Sequence, residues 1–152
     1  MNLRAIAALL LIVLTLGGCA LPLIQDDTTT EVVTISLSIL PGRTITEGDY
    51  NNALCAQLGG RREVRHYYHY GGGERGYVVV DCETDFRVIE GGLDKRSSLD
   101  SVQQALFAAV LTGKEPTVAI YDTDGAEGGY EYRIHRAARK ARVGFIRVMR
   151  AE

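Results

Sequence analysis

The chain has 152 residues, of which 17 are basic and 19 acidic, for a formal charge of −2. That balance excludes a protein that holds nucleic acid by bulk charge. A chain of this length without internal repeats can bury one ordinary core and needs no second domain.

The first segment carries Arg4, an apolar run from Ala5 to Leu16, and then Gly17-Gly18-Cys19. Charged, hydrophobic and small residues in that order form a cleavable secretory signal. Leu16-Gly17-Gly18-Cys19 resembles the lipobox of bacterial lipoproteins. The resemblance implies removal of residues 1–18 and a covalent lipid on Cys19, followed by a tether over 19–31 and a single α/β domain over 32–152. It also implies export and a membrane anchor. Ala20 after the cysteine points to the periplasmic face of the outer membrane in a host with two membranes, and otherwise to the outer face of the cell membrane. The alternative is an uncleaved anchor over Ala5 to Ile24, close to the roughly 20 residues a spanning helix needs. Arg4 before it and Asp26 and Asp27 after it give the same orientation.

With Cys19 consumed, Cys55 and Cys82 remain as a disulfide of an oxidising compartment or as two buried thiols. A bridge would close a loop of roughly 27 residues and contribute about 3 kcal/mol.

Val33, Ile35, Leu37 and Ile39 alternate with Thr34, Ser36 and Ser38, which predicts a strand over Val32 to Leu40. Thr46 with Asp49 three residues later predicts a capped helix through Leu58, ended by Gly59-Gly60. Glu63 to Tyr70 and Tyr77 to Cys82 read as a hairpin whose tip is Gly71 to Gly76, and Phe86 to Leu93 as a further strand. Ser97 or Ser98 should cap a second helix with Leu99, Val102, Leu106, Ala109 and Val110 on its core stripe and Gly113 past its end. Thr117 to Tyr121 is a strand, Gly129 to Arg142 a third helix, and Gly144 to Met149 a last strand. This order predicts a mixed sheet, an antiparallel three-strand meander plus strand-helix-strand units, flanked by helices.

Val80-Asp81 and Ile89-Glu90 fall on neighbouring predicted strands, where Asp81 and Glu90 could share a Mg²⁺ ion that activates water against a phosphodiester. Around them, Gly59-Gly60-Arg61-Arg62-Glu63-Val64, the Gly76 to Asp85 stretch, Val88-Ile89-Glu90 and Ser101-Val102-Gln103-Gln104-Ala105-Leu106 resemble small members of the PD-(D/E)XK nuclease superfamily. The likeness covers roughly residues 50 to 148 and implies a restriction-endonuclease-like fold. It also implies a Mg²⁺- or Mn²⁺-dependent endo- or exonuclease acting on DNA. Asp81 matches the metal aspartate, Glu90 the acidic residue of the E-x-K element, Glu63 the upstream glutamate, and Gln104 the helix glutamine that steadies the site. Gly92 stands where the lysine belongs. Lys95 is either that lysine displaced or a surface residue of a turn. A lipoprotein that keeps the scaffold without the chemistry, as an envelope binding or structural protein, is the second reading.

Seven cations, Arg133, Arg136, Arg139, Lys140, Arg142, Arg147 and Arg150, lie in the last twenty residues. Arg136, Arg139, Lys140 and Arg142 would contact phosphates if the domain is a nuclease, or form a solvated helix face. His66 and His69, interleaved with Tyr67, Tyr68 and Tyr70, offer a metal site or a base-stacking platform, but the two histidines fall on opposite sides of their strand, which argues against a shared metal. Tyr68 and Tyr70 share a face, where they pack or stack. His135 reads as solvated, and Asp122 and Asp124 read as a turn.

Overall fold

In a computed structural model, the described residues are 30–37, 42–95 and 99–151. The lipobox with Cys19, the end of the first predicted strand and the Ser97 and Ser98 caps lie outside them. No helix among the described residues is long and apolar enough to cross a membrane.

The protein is α/β, with a six-stranded mixed sheet flanked by three helices. In chain order the elements are β1 (Thr30–Ile35), α1 (Glu47–Gln57), β2 (Arg61–Tyr70), β3 (Glu74–Glu83), β4 (Arg87–Leu93), α2 (Leu99–Thr112), β5 (Glu115–Tyr121), α3 (Gly129–Ala141) and β6 (Gly144–Arg150). A 3₁₀ turn, Gly71–Gly73, closes the β2–β3 hairpin. The strands lie in the order β1-β6-β5-β4-β3-β2. β2, β3 and β4 form the antiparallel meander. β4, β5, β6 and β1 run parallel, and α2 and α3 are the crossovers that parallel neighbours require.

Each sheet face has its own core. On one face Tyr50, Leu54 and Cys55 of α1 pack on Ile35, Cys82, Ile89, Tyr121, Ile146 and Val148. On the other, Val102 and Ala105 of α2 with Ile134 and Ala138 of α3 pack on Val118, Ile120 and Phe145. Ala108 of α2 covers Val80 and Val88.

The start of α1 follows from its sequence. The Asp49 carboxylate accepts the Thr46 backbone N–H and the Thr46 hydroxyl, both at 2.8 Å, and the Arg43 guanidinium at 2.6 Å. These donors hold its carboxyl below the ordinary range. Cys55 of α1 is bonded to Cys82 of β3, with Cα atoms 5.5 Å apart. Gly60 lies over this bridge: a Cβ there would meet the Cys82 sulfur at 2.6 Å and the Cys55 sulfur at 2.9 Å.

The expected core stripe of α2 holds at Val102, which is buried, and at Ala109, which packs partly buried against Val80 and Val88, but is overturned at Leu99, Leu106 and Val110. Its buried residues are Ser101, Val102, Ala105 and Ala108, whereas Leu99, Leu106 and Val110 are 44%, 38% and 78% exposed. The helix turns its small side chains inward, because β4 and β5 lie close beneath it and Ser101 donates its hydroxyl to the Gly91 carbonyl at 3.3 Å.

Candidate active site

The site grows out of an irregularity in the β2–β3–β4 meander. In β2–β3 the rungs Arg62 opposite Cys82 and Val64 opposite Val80 bracket Glu63 and Asp81, which form no regular rung themselves. Glu63 has a φ of 50°, in the left-handed region that L-residues seldom enter. The β3–β4 ladder stops at Cys82 opposite Ile89. One residue further out stand Asp81 and Glu90, where the Asp81 carboxylate, not a backbone carbonyl, accepts the Gly91 N–H at 2.8 Å. Val80 packs under α2 and Cys82 under α1. β3 therefore changes face at Asp81, whose carboxylate accepts a hydrogen bond from the Asn51 side chain of α1.

Glu63, Asp81 and Glu90 thus occupy the same level of three adjacent strands. Glu63 is exposed, Asp81 half-buried and Glu90 3% exposed. Burial pushes the Glu90 carboxyl up to about 8, and the negative charge of Asp81 adds to the rise. Burial also raises Asp81, against the opposing Gly91 and Asn51 hydrogen bonds, while Glu47 and Glu63 add like charge. At Glu90, among the described residues, no positive charge counters the burial. A buried acid beside a half-buried one could hold a divalent cation, which would favour the ionised form of both.

Tyr121 of β5 forms the floor. Its hydroxyl donates to Asn51 Oδ1 at 2.8 Å, its ring stacks on Tyr50 at 5.2 Å, and burial raises its pKa. A Cβ at Gly91 would run into this ring, meeting Cζ at 2.8 Å. Glycine at position 91 lets β4 lie flush on Tyr121, a requirement no single-strand pattern shows.

The remaining predicted residues are dispersed. Gly92 is buried at the lysine position, and Lys95 is exposed in the turn after β4. Gln104 is exposed on α2, and the α2 side chain that reaches β4 is Ser101 instead. Arg136, Arg139, Lys140 and Arg142 belong to α3 and its left-handed cap, which pack on the sheet face opposite α1. They do not converge on Asp81. His66 points to the α2 side, where it meets buried Glu83 at 2.5 Å; Lys114 joins the same carboxylate at 2.8 Å and Arg61 at 3.0 Å. That cluster pins the hairpin base to the start of β5.

A second acidic group lies past the ends of the parallel strands, where Asp94, Asp122 and Asp124 bring one oxygen each within 4.8 Å of one another. Most of its oxygens already accept hydrogen bonds, Asp124 Oδ1 from the Ala126 N–H at 2.9 Å. Asp94 accepts the Thr123 N–H and hydroxyl at 2.6 and 2.9 Å. Asp122 accepts the Asp124 and Gly125 N–H groups at 3.1 and 2.7 Å and Arg147 at 2.6 Å. The expected turn is thus a hydrogen-bonded one, locked to β6 through Arg147.

Sequence reasoning missed Arg65, Arg75 and Tyr77, and weighed Tyr67 for stacking only together with Tyr68 and Tyr70. Tyr67 lies opposite Tyr77, with Arg65 and Arg75 on neighbouring rungs. The ring centroids are 6.0 Å apart, the Arg75 guanidinium is 3.9 Å from the Tyr67 centroid, and Arg65 is 4.9 Å from that of Tyr77. Period-two alternation over Arg65, Tyr67 and His69 was the available signal. The chain matches no protein-family model, no curated protein and no solved structure.

Proposed function

We propose that the protein is an exported, lipid-anchored, metal-dependent phosphodiester hydrolase of restriction-endonuclease-like fold, acting on DNA. The observation that carries this reading is the alignment of Glu63, Asp81 and Glu90 across three strands where the ladders break, with Asp81 and Glu90 raised by burial. Asp81 and Glu90 would hold Mg²⁺ or Mn²⁺, which supplies charge neutralisation on a phosphate and acidifies a bound water. Gly91 and Asn51 orient Asp81 by their hydrogen bonds, and Glu63, which is exposed, would orient water. The lipid on Cys19 would hold the domain at a membrane surface outside the cytoplasm.

Gly92 favours a second reading, an envelope binding or structural lipoprotein with the scaffold but not the chemistry, because no lysine follows Glu90 on β4. One experiment separates them. The full chain is incubated with linear, circular and single-stranded DNA in Mg²⁺ or Mn²⁺, beside Asp81→Ala and Glu90→Ala. Cleavage abolished by chelator and by both substitutions establishes the hydrolase. A folded protein that neither cuts nor binds metal by calorimetry establishes the second reading. Metal binding should release protons, because Glu90 is largely protonated below about pH 8. Titrations in two buffers of different ionisation enthalpy read this directly. The intact mass of the exported protein tests lipidation separately.

A further inference from the structure

Beyond α1, the hairpin leaves one face of β2 and β3 uncovered. Tyr68 packs edge-on against Phe107 of α2, with centroids 4.9 Å apart, so alternation directs Arg65, Tyr67 and His69 to the opposite side. Their cross-strand partners Val79, Tyr77 and Arg75 share that side. Tyr67 and Tyr77 are 51% and 53% exposed, and Arg65 and Arg75 are exposed as well. The four form a continuous ladder in the order Arg65, Tyr77, Tyr67, Arg75. No carboxylate lies among these rungs. Glu74, beside Arg75 in β3, falls on the alternate face, and the next carboxylate along β3 is Asp81, four residues from Tyr77 and about 14 Å away at strand rise.

We propose that this ladder is a binding platform for unpaired nucleic acid, which it feeds toward Asp81 and Glu90; the proposal rests on the phosphodiester reading. Exposed rings accept bases by stacking, which only an unpaired strand can offer. The flanking guanidiniums neutralise its backbone and also present planar faces for stacking. A duplex keeps its bases stacked on one another and would find only the charges. The ladder lies on the face to which Asp81 turns, whereas the basic residues of α3 are on the other.

The test measures binding by the full chain in chelator, where nothing is cut, using a labelled 20-nucleotide DNA, the matching RNA and the duplex DNA. The single strands should bind at least tenfold more tightly than the duplex. Tyr67→Ala and Tyr77→Ala should each weaken binding by about 5- to 100-fold, with Tyr67→Trp restoring it and unchanged melting temperatures showing an intact fold. Comparison of the DNA and RNA arms then identifies the strand chemistry. Equal affinity for duplex, or wild-type binding by both alanine variants, would overturn the proposal. Ladder-dependent binding without cleavage in Mg²⁺ or Mn²⁺ would sustain the platform while removing the hydrolase. Cleavage indifferent to both tyrosines would do the reverse.

Discussion

Glu90 concentrates the electrostatic cost of the site in one side chain. Its carboxyl moves from an ordinary 4.5 to about 8, so in that interval the folded protein retains a proton that the unfolded chain has released. Stability therefore falls as pH rises across the window. Melting temperature should drop by about 5 °C or more between pH 5 and pH 8, and Glu90→Gln should remove most of that drop while matching the wild type near pH 5. A flat wild-type profile would contradict this account of Glu90. Below pH 4 the trend reverses, because hydrogen bonds and ion pairs hold Glu83 and Asp122 low despite their burial, and their contribution is lost as they protonate. Gly91→Ala belongs to the same scale. With no room for a Cβ against the Tyr121 ring, the change should cost about 1–3 kcal/mol in a denaturant melt and displace Asp81 by moving its N–H donor.

Among the elements, those governed by local chemistry were legible in the sequence. The capping pair Thr46 and Asp49 located α1, and aromatic and branched residues on either side of the Gly71 to Gly76 run located the hairpin. The α2 core stripe was legible only at Val102 and Ala109, because apolar character ranks side chains by hydrophobicity while a helix lying close on a sheet selects small ones. Ser101, Ala105 and Ala108 therefore went inside and Leu106 and Val110 stayed out. The pairing of Asp81 with Glu90 could be anticipated from neighbouring strands, but the interrupted rungs at Glu63 could not, since they depend on a left-handed backbone at an ordinary glutamate. The Cys55–Cys82 link joins α1 to β3 beside Asp81. Reduction, or Cys55→Ser with Cys82→Ser, should lower stability by about 3 kcal/mol and loosen Asn51 from Asp81. A mass change of two hydrogens on reduction checks the bond.

At the scale of the molecule, the two faces of the sheet divide the surface charge. Arg65 and Arg75 share a face with Asp81, while α3 presents Arg136 and Lys140 from the other. If nucleic acid follows the hairpin, Arg65→Ala and Arg75→Ala should each reduce the slope of log affinity against log salt by about 1. Arg136→Ala with Lys140→Ala should leave that slope unchanged. A slope controlled by the α3 residues would reverse the assignment of faces. The parallel pairing of β1 with β6 sets Thr30 beside Phe145 and Ile35 beside Arg150. α1 then carries the chain from that edge of the sheet to the opposite edge, where β2 lies. β1 consequently has no neighbour until the last strand has been made. The earliest strand waits for the latest, and contacts so distant in sequence form slowly. If the chain is exported and anchored as proposed, β1, the strand next to the anchor, would be the last to pair, and the sheet would close at that edge only after β6 had emerged.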